Sequence, residues 1–141
     1  MEFLLYLSPI GKQILNQLIS AKFHIHENAG ICKTDKVFGY VKKPNKFFIC
    51  TDTIKKLGYD PYVYVNETLY HEAVHATHSC NNGNPIGIPK QRMPLSANKQ
   101  QDVSNSLNQT KNYKHRDQEH EAYYLEDHPE YVSYYLKKFC F

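Results

Sequence analysis

The sequence predicts one α+β domain, mostly helical, with a small β-hairpin lying beside a central helix. Three observations carry this. Apolar residues recur at helical spacing in several separate stretches. Two short runs of β-branched and aromatic residues, 37–41 and 46–50, flank the turn Lys42-Lys43-Pro44-Asn45. The chain has 141 residues and is 41% hydrophobic, enough for a single core and little more.

The elements follow in order. Ser8-Pro9 opens a first helix, serine as the cap and proline in the first turn. Ile10, Ile14, Leu18 and Ile19 then line one face, and the helix is expected to end near Ala21. Residues 23–36, with His24 and His26, give mixed signals and receive no assignment. The hairpin comes next. Thr51 to Leu57 reads as a helical turn closed by Gly58, and Asp60-Pro61 as a break. A further helix is expected to open at Val65-Asn66, with Asn66 as cap and Glu67 near the positive helix end. It runs to about Cys80, where Asn81-Asn82-Gly83-Asn84-Pro85 stops it. Residues 81–112 are rich in Asn, Gln, Ser, Gly and Pro. They read as a long loop holding a short helix near Ala97 to Leu107, and loops of that length are usually functional or disordered. Arg116 to Asp127 reads as a helix. Asp127-His128-Pro129-Glu130 interrupts it and starts another, whose stripe Tyr131, Val132, Tyr135, Leu136 and Phe139 belongs to the core.

Composition narrows the function classes. Net charge is +3, and no run of Lys and Arg exceeds two residues, so nucleic acid is not an expected partner. Residues 1–7 are apolar but carry an acid at position 2 and no basic n-region, a poor signal peptide. No stretch approaches transmembrane length. The expectation is a soluble, cytoplasmic protein without a membrane partner. The cysteines are Cys32, Cys50, Cys80 and Cys140, with no C-x-x-C pair, which argues against a cysteine zinc site. In a reducing cytosol they are expected as free, mostly buried thiols, with two disulfides as the alternative for an exported chain. The sequons at Asn66 and Asn108 carry no weight without a signal peptide, and Lys42, Lys43, Lys46, Lys55 and Lys56 read as solvated surface.

The chemistry concentrates in His71-Glu72-Ala73-Val74-His75, an H-E-x-x-H run inside the predicted helix. Residues four apart share a helix face, so the two imidazoles can hold one tetrahedral Zn2+ while Glu72 stands near its water. The flanking Thr68, Leu69, Tyr70, Ala76 and Thr77 are uncharged, as a helix carrying a buried metal requires. The competing reading is a solvated helix with two histidines four apart by chance. His78 lies too far along the helix axis to join both ligands and is expected in an outer or surface position. A metzincin is excluded locally: the position of its third histidine is Asn81 and that of its glycine is His78.

A catalytic zinc needs a third ligand. The segment His115-Arg116-Asp117-Gln118-Glu119-His120-Glu121-Ala122-Tyr123 resembles the second signature of gluzincin metallopeptidases. That signature reads E-x-x-A-D, often with an upstream Arg, in membrane-anchored prenyl-protein proteases. A similar E-x-x-A occurs in regulatory proteases of the mobile-element and radiation-response type. The resemblance covers Val65 to Cys80 and Arg116 to Asp127. It implies Glu119 as ligand, Ala122 as the small packing residue and Arg116 as the upstream Arg. Glu121 is the alternative ligand, with Glu119 favoured. The Asp that commonly orients a ligand histidine is Tyr123 here, so another group must do so. The ending from Glu121 to Cys140 also resembles small zincin-like proteins of phages and cyanobacteria.

These resemblances imply a minimal zincin-like domain over 1–141 and a zinc metallopeptidase acting on a protein or peptide. His71, His75 and Glu119 would hold Zn2+, and Glu72 would act as general base. Tyr123, Tyr124, His115 or His120 would stabilise the oxyanion. The Phe47 to Cys50 strand is expected at the sheet edge, pairing with an extended substrate. The alternative is a non-catalytic zinc-binding interaction module, favoured by Tyr123 in place of Asp. A DNA-repair protease would call for a third histidine and a basic tail, which are missing. The oligomeric state is left open.

Overall fold

A computed structural model describes residues 1–110 and 115–141. A 3-10 turn, Glu2–Tyr6, precedes α1 (Pro9–Ser20), β1 (His24–Glu27), α2 (Gly30–Thr34), β2 (Gly39–Lys42), β3 (Lys46–Ile49) and α3 (Thr51–Lys56). Then come α4 (Pro61–Cys80), a 3-10 turn at Lys90–Arg92, α5 (Ala97–Thr110), α6 (Arg116–Leu125) and α7 (Pro129–Cys140). The architecture is α+β, mostly helical, with one three-stranded sheet.

The 20-residue α4 is the axis of the fold. It packs against α1, α6 and α7 and also against β2 and β3. Val65, Leu69, Ala73, Val74 and Ala76 are buried along it, and the two alanines let neighbouring elements approach closely. The helix starts five residues earlier than Asn66. Asp60 is the cap, its carboxylate accepting from the Tyr62 N–H at 2.9 Å, and Pro61 fills the first turn. Asn66 is instead an interior tie: its amide donates to the carbonyls of Tyr6 and Tyr62, and its oxygen accepts from the Ser8 N–H at 2.9 Å. Ser8 caps α1 as expected, through the Gly11 N–H.

The strand order is β1-β3-β2, with β1 parallel and β2 antiparallel to β3. Phe47 and Ile49 on β3 point into the core and are fully buried. The strand expected at the edge is therefore central. The edge near α4 is β2, because β1 takes the other side of β3. β1 lies in the segment that local sequence leaves ambiguous, and it forms by pairing with β3. Its Glu27 turns inward and accepts from the backbone of Glu2 and Phe3 and from the Thr51 hydroxyl, which pins the N-terminal turn to α3.

The cysteines are not free thiols. Cys32 joins Cys50 and Cys80 joins Cys140, with Cα atoms 5.5 and 5.2 Å apart. Packing explains both pairs: α2 lies over the end of β3, and the last residue of α7 meets the last residue of α4. In the long connection, α5 buries Val103 and Leu107 and packs on α6. Positions 111 and 112 of the predicted loop lie outside the described residues. Among the described residues no helix is long and apolar enough to cross a membrane.

Candidate metal centre

Two helices build the site. α4 presents His71, Glu72 and His75; α6 presents Glu119 and Tyr123, and its C-cap residue Glu126 follows, the three spaced four and three apart and so on one face. His75 Nε2 lies 2.6 Å from Glu119 Oε1, and His71 Nε2 lies 3.9 Å from Glu119 Oε2. One ligand atom from each of the three lies within 4.8 Å of the others. Ligand atoms of a tetrahedral zinc, with bonds near 2.0–2.1 Å, sit about 3.3 Å apart. The observed separations straddle that value, so small side-chain adjustments admit the ion. Two imidazoles and a carboxylate suit zinc chemically.

Glu119, not Glu121, faces the two histidines. Glu121 turns the other way and accepts from the backbone N–H groups of Ile86, Gly87 and Ile88 and from His78 Nε2 at 2.7 Å. His78 is buried, with its Nδ1 3.4 Å from His75 Nδ1. Arg116 is exposed and outside the cluster.

Glu126, rather than the residue at position 123, holds the far side of His71. Its Oε1 lies 2.9 Å from His71 Nδ1, which directs His71 Nε2 toward Glu119. Glu126 is two helical turns beyond Glu119, so the 3.6-residue period points to it, although the resemblance directs attention to position 123. Glu67, Glu126 and Asp127 form a second acidic group. Lys99 from α5 already lies within it, 3.7 Å from Glu126 and 2.8 Å from Asp127.

Burial and charge tune these groups. Burial lowers the pKa of His71 and raises that of Glu72. Burial also works against the charged forms of His75 and Glu119, but their mutual hydrogen bond and charge outweigh it. His75 is pushed up to about 8 and Glu119 is held at about 2. Glu121 is likewise lowered, as hydrogen bonds from His78, Ile86 and Gly87 overcome its burial. Glu67 is raised to about 7 by burial and by its carboxyl neighbour Glu126; Glu126 reaches about 7 through burial.

The cluster lies in an open cleft of about 910 Å³ whose opposite wall is β2. Gly39 allows the close approach of that wall: a Cβ there would come within 2.6 Å of Thr68 Cγ2 and 2.9 Å of Glu72 Cγ. Of the four proposed oxyanion donors, Tyr123 and His115 line the cleft. The Tyr123 ring stands 4.6 Å from that of His71, and its hydroxyl meets Ser106 Oγ at 2.8 Å. Burial raises the Tyr123 pKa, so the hydroxyl keeps its proton at neutral pH. Tyr124 stacks on His128, and His120 Nε2 donates to the Met93 carbonyl at 2.8 Å, so both are engaged elsewhere. Sequence reasoning missed Glu126 and Gly39. Only Glu126 had a signal in the helix period.

No curated protein and no solved structure matches this chain. One family model does, over residues 3–141, and the chain belongs to that family, described as domain of unknown function DUF8637.

Proposed function

We propose that this protein is a zinc-dependent metallopeptidase of gluzincin type. The observation that carries the reading is the convergence of His71 Nε2, His75 Nε2 and the Glu119 carboxylate in an open cleft, with Glu72 beside them. A bound zinc supplies Lewis-acid activation of water and of the scissile carbonyl. Glu72 takes the water's proton and returns it to the leaving amine; its raised pKa suits a group that must both accept and release a proton. Tyr123 or His115 donates to the oxyanion. β2, whose outer edge pairs with no other strand among the described residues, aligns an extended peptide along its backbone. The two disulfides favour an oxidising compartment over the cytoplasm expected from sequence.

The test is metal content of the wild type and of Glu119→Ala, measured side by side by elemental analysis. The expected result is about one zinc per wild-type chain, lost in the variant. A wild type that takes up no metal when zinc is offered would sink the reading. Glu72→Gln should keep its zinc and lose peptide hydrolysis; a variant that cleaves as fast as wild type would remove Glu72 from the mechanism. A non-catalytic zinc module is the second reading, favoured by the engagement of the Tyr123 hydroxyl with Ser106. Zinc-loaded wild type that leaves a broad peptide library uncut would select it.

A further inference from the structure

His78 and Glu121 are each only 2% exposed, and neither belongs to the three groups that converge on the ligand position. Packing alone does not account for them, because a buried polar pair is costly and an apolar pair of similar volume often does as well. Their geometry gives a more specific account. A neutral imidazole has one donor and one acceptor nitrogen. His75 turns Nε2 toward Glu119, on the ligand side, and with that nitrogen on the metal its hydrogen belongs on Nδ1. That nitrogen faces His78 Nδ1 at 3.4 Å, and only one hydrogen fits between them. His78 Nδ1 is then the acceptor and His78 carries its hydrogen on Nε2. That hydrogen is donated to Glu121 Oε1 at 2.7 Å. With His75 Nε2 given to the metal, one assignment satisfies the remaining contacts of the pair. The same Glu121 carboxylate accepts from Ile86 and Gly87 at 2.8 Å and from Ile88 at 3.3 Å.

We infer that His78 and Glu121 are positioning residues, forming a buried bridge that fixes the His75 ring and ties the Ile86–Ile88 segment to the state of the metal site. The inference rests on the metallopeptidase reading for the role of His75 and goes beyond it in coupling that ligand to a loop 11–13 residues beyond it in the chain. Outer partners of metal-bound histidines change affinity by roughly 10–100-fold when removed. Here the partner is itself a histidine, and its far nitrogen is committed to the carboxylate that gathers the loop.

The experiment combines zinc affinity, by competition with a chromophoric chelator, with amide hydrogen exchange at Ile86, Gly87 and Ile88, each with and without zinc. In wild type, zinc should slow exchange at the three amides. His78→Phe keeps an aromatic ring and removes both nitrogens; it should bind zinc roughly 10–100-fold more weakly, with exchange at the loop no longer responding to zinc. Should that variant fail to fold, long-range proton–nitrogen spectra of zinc-loaded wild type decide the point, with hydrogen expected on His75 Nδ1 and on His78 Nε2. A folded His78→Phe with wild-type affinity, a wild-type loop indifferent to zinc, or hydrogen on His78 Nδ1 would overturn the bridge while leaving the metal site intact. A wild type that binds no zinc would overturn the metallopeptidase reading, and the bridge with it.

Discussion

Glu126 contacts both sides of the site, holding His71 Nδ1 with one oxygen and lying 3.7 Å from the Lys99 ammonium with the other. Glu126→Leu removes the acceptor and the charge, so zinc affinity should fall roughly 10–100-fold. Glu126→Gln keeps an oxygen for the His71 N–H and should lose less. Chelator competition on both folded variants checks this, and equal affinity in the leucine variant and wild type would deny Glu126 its supporting role. Gly39 is a second residue-scale constraint. Gly39→Ala drives a Cβ into Thr68 and Glu72, an overpacking that should cost about 1–3 kcal/mol and displace the proposed base. Thermal melts and kcat/KM should fall together, and an alanine variant equal to wild type in both would show that β2 yields freely. The convergence of His71, His75 and Glu119 was legible because helical spacing is local: His71 and His75 are four apart, and Glu119 stands in the segment that the resemblance singled out. The outer position of His78 was among the expectations, but its pairing with Glu121 was not, because that contact depends on α6 packing across α4, and no local pattern encodes that crossing.

At the scale of elements, local signals located the helices and missed what pairing decides. Ser8-Pro9 and His128-Pro129 mark real helix starts, and Asn81 to Pro85 a real end. The start of α4 is displaced because Asp60-Pro61, read as a break, is equally the grammar of a cap followed by a first-turn proline. β1 has only four residues, two of them histidine, and exists through β3. Its insertion on one side of β3 makes β2 the wall of the cleft. The junction of α4, α5 and α6 carries a pH prediction. Glu67 sits against Glu126 with a folded value of about 7, above its ordinary 4.5. The folded state therefore holds more protons than the unfolded chain between those values. That contribution to stability is full below about pH 4.5 and is lost as pH rises through 7. In metal-free protein, Glu67→Gln should flatten the fall in Tm between pH 5 and 7.5. An unchanged slope would assign the decline to other groups.

Across the whole molecule, one of the two disulfides ties the last helix to the helix that carries the site, and the other ties α2 to the start of α3. Cys80 is the last residue of α4 and Cys140 the last of α7, 60 positions apart. Closing a loop of that length removes enough unfolded-chain entropy to stabilise by about 4 kcal/mol, and the 18-residue Cys32–Cys50 loop gives about 3 kcal/mol. Together they are comparable with the net stability of many small domains, roughly 5–15 kcal/mol, so reduction should leave the fold marginal. The proposed metal ligands, by contrast, are brought together by the α4–α6 contact, and neither bridge joins those two helices. Cys80→Ser with Cys140→Ser should therefore lower unfolding free energy by about 4 kcal/mol and retain zinc affinity in the folded fraction. Urea denaturation and chelator competition on the same preparation separate the two effects. Loss of zinc affinity in a variant that is still folded would make the bridge part of the site. No change in stability would mean that the pair contributes nothing to holding α7 against α4, and would restore the reducing cytosol as a setting in which the chain can work.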